Sequence, residues 1–112
     1  MDKKSAWIYC RIDAPEDTHG VLKGQYERLE TYASQMSFIV VGSSQDLGSG
    51  LNFDRLGLQA VLEAAKAGSF QVLLVDSVSR IGRDETNIET FIKTLLSYGI
   101  TVFSPLEGKI LM

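Results

Sequence analysis

Four short apolar runs along the chain predict the strands of a sheet. They cover residues 6–11, 38–41, 72–75 and 100–103. Their hydrophobic residues are continuous rather than alternating, which is typical of parallel strands that are covered on both faces. We therefore expect each run to be a buried strand.

Helical periodicity fills the intervals between these runs. The apolar positions that repeat at helical spacing are Leu22, Tyr26, Leu29 and Ala33, then Leu58, Val61, Leu62 and Ala65, then Ile88, Phe91, Ile92, Leu95 and Leu96. Gly68 and Gly99 follow the second and third pattern, where glycine commonly ends a helix, and Asp54 precedes the second as a cap. Alternation of strand and helix predicts an α/β fold, with a mainly parallel sheet of four to five strands and helices on both faces.

Two polar segments follow predicted strands and are expected to be loops. They cover residues 13–20 and 42–52. Open α/β sheets bind their ligands beyond the carboxyl ends of the strands. The functional site is therefore expected where these two segments meet.

The placement of arginines is the feature that indicates chemistry. Each lies at the carboxyl end of a predicted strand or in the segment beyond it, and the four are Arg11, Arg55, Arg80 and Arg83. Guanidiniums repel one another unless an anion lies between them, and phosphate fits their planar, two-pronged geometry. The alternative is a set of separate surface arginines, each paired with a nearby acid such as Asp54 or Asp84.

Composition and charge restrict how such a site is used. The chain has 112 residues, of which 45% are hydrophobic and 22% charged, as is ordinary for one folded domain. The 11 Lys and Arg are outnumbered by 14 Asp and Glu, giving a net charge of −3. Binding to DNA would therefore need a local cluster of cations or a further domain. A single cysteine, Cys10, and the lack of a long apolar segment favour a cytoplasmic protein without a membrane span.

Several motifs in order resemble the catalytic domain of serine recombinases of the resolvase/invertase family. The chain has YCRID at residues 9–13 where the family has Y-x-R-x-S, and Gln25 on the first predicted helix. DLGSG at 46–50, RLGL at 55–58 and SRIGR at 79–83 match the family's later motifs. The resemblance extends from about residue 6 to residue 104.

The resemblance implies a DNA strand-exchange site that needs no metal or other cofactor. In the family a serine hydroxyl attacks a DNA phosphodiester, forms a 5′-phosphoserine link and releases a 3′-hydroxyl. By position, Arg11, Arg55, Arg80 and Arg83 would surround the scissile phosphate. Gln25, Asp46, Ser49 and Ser79 would support them. The implied partners are DNA and further copies of the chain, as a dimer or tetramer.

Residue 13 departs from the family pattern, because Asp13 stands where the nucleophilic serine is expected. A carboxylate has no hydroxyl to donate, and two like charges at about 4 Å cost on the order of 4 kcal/mol at an effective dielectric constant near 20. We expect Asp13 to pair with the arginines and compete with DNA. The protein is then a degenerate or regulatory member of the family, an engineered inactive form, or an enzyme in which Ser49 supplies the hydroxyl.

Three hypotheses for function follow. The first is a serine-recombinase catalytic domain that does not cleave. The second is a non-catalytic module that assembles with active recombinase subunits and regulates them. The third is an unrelated phosphate- or nucleotide-binding α/β domain, in which the arginines would not converge. The first two imply that residues 1–112 form one catalytic domain, without the dimerisation helix and DNA-binding domain of the family.

Overall fold

A five-stranded sheet with helices on both faces forms the part of the protein that the structure describes. The computed structural model describes residues 3–13, 19–48, 56–82 and 84–110. The strands are β1 Ser5–Ile12, β2 Ile39–Leu47, β3 Val72–Leu74, β4 Thr101–Ser104 and β5 Gly108–Ile110. The helices are α1 Val21–Gln35, α2 Leu56–Lys66 and α3 Glu85–Ser97, with a 3₁₀ turn at Val78–Arg80.

The sheet has the strand order β2-β1-β3-β4-β5, and its first four members are parallel. β5 runs antiparallel to β4, with Val102 opposite Ile110 and Ser104 opposite Gly108. The predicted α/β class and mainly parallel sheet are confirmed.

Alternate residues of β1 point into two separate cores. Ile8 and Cys10 pack on one face of the sheet with Leu22 and Leu29 of α1. Tyr9 packs on the opposite face with residues of α2 and α3, including Val61, Ile88 and Leu95. The chain therefore buries β1 from both sides, as a central strand requires.

The predicted helical faces agree with the structure, with one exception. Leu22, Leu58 and Ile88 are buried with most of their helical repeats, but Leu96 is 57% exposed. Gly68 and Gly99 have φ of 71° and 78°, so these glycines end α2 and α3 in the left-handed region as predicted. Asp54 lies outside the described residues.

β2 differs from its prediction in length and in burial. It continues to Leu47, so the expectation of a loop from residue 42 was wrong for 42–47, and its residues alternate in exposure instead of being covered on both faces. Among the described strands β2 pairs with β1 alone, at the edge of the sheet. Gly42 lies against the Trp7 ring, where a Cβ would come within 2.3 Å of it. The apolar run at 38–41 marks only the start of β2, and the polar residues that follow it in this edge strand give no apolar pattern.

In the described part of the chain, no helix is long and apolar enough to cross a membrane.

Candidate functional site

The carboxyl ends of β1, β2 and β3 bring the predicted site residues to one edge of the sheet. β1 carries Arg11 and leads into Asp13, β2 carries Asp46 and leads into Gly48, and β3 is followed by the 3₁₀ turn that contains Ser79 and Arg80. Parallel strands end at the same edge, so three distant segments of the sequence meet there.

The guanidinium of Arg11 is buried and held by main-chain carbonyls. Only 2% of this residue is exposed. Its Nε donates to the carbonyl of Arg80 at 2.9 Å, its Nη2 to that of Ser79 at 2.8 Å, and its Nη1 to that of Gly48 at 3.0 Å. These carbonyls fix the orientation of the guanidinium but leave a full positive charge, which a buried site has to compensate with an anion.

Asp13 provides that anion. Its Oδ1 forms an ion pair and hydrogen bond with Nη1 of Arg11. The Asp13 side chain is 35% exposed, whereas Arg11 is buried. The carboxylate therefore lies at the surface of the site with the arginine beneath it, and the expected pairing of Asp13 with an arginine is present.

Arg80 lies beside Arg11. Its Nη1 donates to the carbonyl oxygen of Arg11 at 3.1 Å, and its Nη2 is 3.9 Å from Oδ2 of Asp76. Two of the four predicted arginines are thus brought together. Arg55, Arg83 and Ser49 lie outside the described residues. Asp84, considered as a partner for an arginine, caps α3 by accepting from the amides of Thr86 and Asn87.

Gln25 of α1 is fully buried and binds the main chain of Arg11. Its Nε2 donates to the Arg11 carbonyl at 2.9 Å, and its Oε1 accepts from the Arg11 amide at 3.3 Å. The side chain amide satisfies both backbone groups at the last part of β1, so it fixes where the arginine side chain starts.

Asp46 of β2 binds the amino end of α2. Its Oδ1 accepts from the amide of Gly57 at 2.9 Å, and its Oδ2 accepts from the amide of Leu58 at 3.1 Å and from the Tyr9 hydroxyl at 2.7 Å. The carboxylate therefore satisfies two amides that a helix start leaves without intrahelical partners. Its contacts are with the helix that follows Arg55 in sequence.

Ser79 contributes through its main chain. Its carbonyl accepts from Arg11, while its hydroxyl is 2.6 Å from that of Ser77. A serine or an aspartate at this position would offer the same carbonyl, so the contact to Arg11 does not depend on the side chain.

Three further residues at this edge were not predicted as site residues. Arg28 of α1 binds Asp76, with Nη2 to Oδ2 at 3.1 Å and Nε to Oδ1 at 3.4 Å. Glu107, in the turn between β4 and β5, accepts from the amide of Val78 at 3.1 Å. The sequence could have indicated that Arg28 lies near the site, because it follows Gln25 by three residues and so shares its helical face.

The thiol of Cys10 lies close to this charged group. Burial raises its pKa to about 11; the negative charge of Asp76 adds to the shift, and the charges of Arg28 and Arg80 oppose it. This thiol is therefore protonated at neutral pH, as expected for a buried core cysteine.

Comparison with known proteins finds one matching family model and several similar solved structures. The family model described as "Resolvase, N terminal domain" matches residues 6–110. The structure is similar to the C-terminal catalytic domain of ISC1926 TnpA, an IS607-like serine recombinase, with 27% identity and a TM-score of 0.83 over 89% of this chain and 68% of that one.

Two other solved structures share the fold at lower identity. The N-terminal catalytic domain of TP901-1 integrase has 23% identity and a TM-score of 0.83, over 94% of this chain and 79% of that one. A resolvase family site-specific recombinase from Streptococcus pneumoniae has 21% identity and a TM-score of 0.80, over 95% of this chain and 74% of that one.

Proposed function

The chain belongs to the resolvase N-terminal domain family, and on that premise we propose that it is the catalytic domain of a site-specific DNA recombinase in which Asp13 occupies the nucleophile position. The observation that carries the proposal is the ion pair between Asp13 and the buried guanidinium of Arg11. A buried cation at the end of β1 binds an anion, and in this chain the anion is part of the protein.

The proposed phosphate site consists of Arg11 and Arg80 together with Arg55 and Arg83. The contact of Arg80 with the Arg11 carbonyl supports the first pair, and the second pair is proposed from the sequence. Gln25, Asp46 and Ser79 act as positioning residues through the contacts described above, and Ser49 is assigned with them from its motif. Guanidiniums held in a site with little water stabilise the charge of a phosphoryl-transfer transition state.

A serine at residue 13 would attack the phosphorus, and the bond from phosphorus to the 3′-oxygen would break. The products would be a 5′-phosphoserine link and a 3′-hydroxyl. Asp13 has no hydroxyl to supply, and its charge repels a phosphodiester by about 4 kcal/mol at 4 Å and an effective dielectric constant near 20. We therefore propose that this chain does not cleave DNA. No metal or cofactor enters the proposal.

DNA and further copies of the chain are the proposed partners. The net charge of −3 gives the domain little general attraction for DNA, so its contacts would be local phosphate contacts at the arginine site. We propose that residues 1–112 act as one catalytic domain.

The second candidate function is a subunit that regulates active recombinases without cleaving. The Asp13–Arg11 ion pair favours this function as well, since the Asp13 carboxylate balances the charge of Arg11 without a bound substrate. Under this alternative, the chain would assemble with a catalytically intact relative and change the activity of that relative.

The test is a denaturing gel that detects covalent protein–DNA adducts. The chain, with Asp13 and as Asp13→Ser, is fused to a DNA-binding domain of known site and incubated with duplex nicked near that site to trap the intermediate. A second, matched pair carries Arg11→Ala in each background. An adduct is expected with Asp13→Ser alone, and it should be lost when Arg11 is also replaced.

An adduct with Asp13 itself would contradict the proposed loss of cleavage. If none of the variants forms an adduct, the result would contradict the proposal that the phosphate site is intact and lacks only its nucleophile. Co-purification with an intact relative would then decide in favour of the regulatory alternative.

A further inference from the structure

Arg28 is a further charged side chain at the edge of the sheet where β1, β2 and β3 end, and it is not among the site residues assigned above. It approaches Asp76 with two nitrogen atoms, at 3.1 Å and 3.4 Å, and the same carboxylate lies 3.9 Å from Arg80. Arg80 in turn donates to the carbonyl of Arg11. A continuous series of contacts therefore joins Arg28 to the buried arginine of the site.

Of Arg28, Asp76 and Arg80, the side chain of Arg28 is the most exposed. The side chain of Arg28 is 57% exposed, against 28% for Arg80 and 23% for Asp76. Arg28 and Arg80 share the Asp76 carboxylate, so these three side chains together carry one positive charge in a chain whose net charge is negative. Such a local excess attracts an anionic partner to one place on the surface.

Helix α1 gives Arg28 a fixed relation to the site. Gln25, one turn earlier on the same face, binds both backbone groups of Arg11. The two-point contact with Asp76 then sets the direction of the guanidinium. An exposed ion pair of this kind stabilises a fold by only about 0–1 kcal/mol, so fold stability gives little reason for it.

We propose that Arg28 contacts a phosphate of the DNA backbone next to the anion position beside Arg11 and Arg80, which the Asp13 carboxylate fills in this chain. This inference rests on the proposed function and deepens it, since it adds a DNA contact outside the family motifs of this chain. Asp76 acts as a positioning residue that keeps Arg28 and Arg80 side by side.

The experiment follows the side-chain Nε–Hε signals of the arginines by NMR while a short DNA duplex is added at low salt to the 112-residue chain with Asp13→Ala, in which the anion position beside Arg11 is vacant. The variants below are made in this same background. The signals of Arg28 and Arg80 are expected to shift together. Binding is then measured over a series of salt concentrations for Arg28→Ala, with Arg28→Lys to retain the charge. The matched control is Lys93→Ala, because Lys93 is also an exposed cation in an ion pair, with Glu89 at 2.7 Å.

Arg28→Ala is expected to weaken binding roughly three- to tenfold and to reduce the slope of log K against log salt by about one, as loss of one phosphate contact does. Arg28→Lys should retain most of the slope, and Lys93→Ala should bind as the chain with Asp13→Ala alone does. An Arg28 signal that stays fixed while that of Arg80 shifts would overturn the inference and leave the proposed function standing. If neither signal shifts, both fail. Equal losses for Arg28→Ala and Lys93→Ala would also overturn the inference.

Discussion

The side chain of Gln25 binds both main-chain groups of Arg11, donating to its carbonyl at 2.9 Å and accepting from its amide at 3.3 Å. The pair joins the first helix to the end of the central strand, in a place where neither residue's backbone is exposed to water. Because the Arg11 side chain starts at this point, the position of its guanidinium depends on an amide in another element.

Replacing Gln25 by alanine should destabilise the fold and disturb the site together. The buried Arg11 amide would lose the Gln25 oxygen, while the Arg11 carbonyl would keep its bond from Arg80. One backbone group left unsatisfied costs roughly 1–3 kcal/mol. Urea denaturation measures the loss, and the Nε–Hε signal of Arg11 should broaden or shift. Gln35→Ala, at the exposed end of the same helix, is the control and should have little effect. Equal stability of the two variants would contradict this role for Gln25.

Two helical glycines should respond to alanine in opposite directions. At Gly57 a Cβ would lie 2.6 Å from Oδ2 of Asp46 and 2.7 Å from the main-chain carbonyl oxygen of Gln45, so Gly57→Ala should disrupt the cap of α2. At Gly24 the nearest atom outside the α1 backbone is Nη1 of Arg28 at 3.5 Å, an ordinary contact.

Gly24→Ala should therefore stabilise the protein by about 0.5–1 kcal/mol, the usual gain from alanine within a helix. Gly57→Ala should lower the free energy of unfolding by roughly 1–3 kcal/mol, as overpacking does. Thermal denaturation measures both effects, with a higher Tm expected for Gly24→Ala and a lower Tm for Gly57→Ala. A stabilised Gly57→Ala would show that the contact with Asp46 relaxes without cost.

Glu107 connects the turn between β4 and β5 to the 3₁₀ turn of the site. Its carboxylate accepts from the Val78 amide at 3.1 Å and 3.3 Å and from the buried Ser104 hydroxyl. The 3₁₀ turn that starts at Val78 supplies the carbonyls of Ser79 and Arg80 that hold Arg11.

Glu107→Ala is expected to speed hydrogen exchange at the Val78 amide and to lower stability by about 0.5–1.5 kcal/mol, the net contribution of a hydrogen bond. Glu107→Gln retains an acceptor oxygen and should restore most of the protection. Glu89→Ala, which removes an exposed glutamate of α3 that pairs with Lys93, should leave Val78 unchanged. Unaltered exchange in Glu107→Ala would contradict the connection.

Cys10 should make stability fall at alkaline pH. Burial raises the pKa of the folded thiol to about 11, against an ordinary value of 9.0 in the unfolded chain. Both states are protonated below pH 9, so the thiol has no effect there. Between pH 9 and pH 11 the unfolded state releases its proton while the folded state retains it, and stability falls.

Urea denaturation at a series of pH values measures this effect as a difference between the unmodified chain and Cys10→Ala. The variant should lose less stability between pH 9 and pH 11. Identical pH profiles would mean that the folded thiol titrates like the unfolded one. Alkylation of the folded protein at pH 9 should also be slow, because the buried thiol is both protonated and covered.

The sequence predicted those parts of the fold that depend on strong apolar patterns. The helical faces containing Leu29, Val61 and Leu95 are buried as expected, and the strands of the sheet centre lie where continuous apolar runs stand. The outer strands were harder to predict, since β2 is largely polar and alternates between exposed and partly buried residues, and β5 has only three residues, directly after a turn. Patterns of this length and polarity do not distinguish a strand from a loop.

The sequence predicted the pairing of Asp13 with an arginine, but not the other contacts at this edge of the sheet. Arg11 and Asp13 stand two residues apart at a strand end, so their pairing follows from the chemistry of an arginine and a carboxylate. The contacts of Gln25 with a main chain, of Asp46 with a helix start and of Glu107 with Val78 depend on how elements pack, which spacing alone does not give. The roles of Arg55, Arg83 and Ser49 stay predictions.

The most direct test of the account is thermal denaturation of Asp13→Ala with and without phosphate. The central claim is that the Asp13 carboxylate takes the place of a phosphate beside Arg11. In phosphate-free buffer the variant should lose roughly 1–3 kcal/mol, because it removes the partner of a buried charge. Added phosphate should restore its Tm while raising that of the unmodified chain much less, since only the variant has a vacant anion position.

Glu63→Ala, which removes one exposed negative charge from α2, is the control for net charge and should show neither effect. An unchanged Tm for Asp13→Ala, with no response to phosphate, would contradict the claim that Asp13 fills the phosphate position of the site.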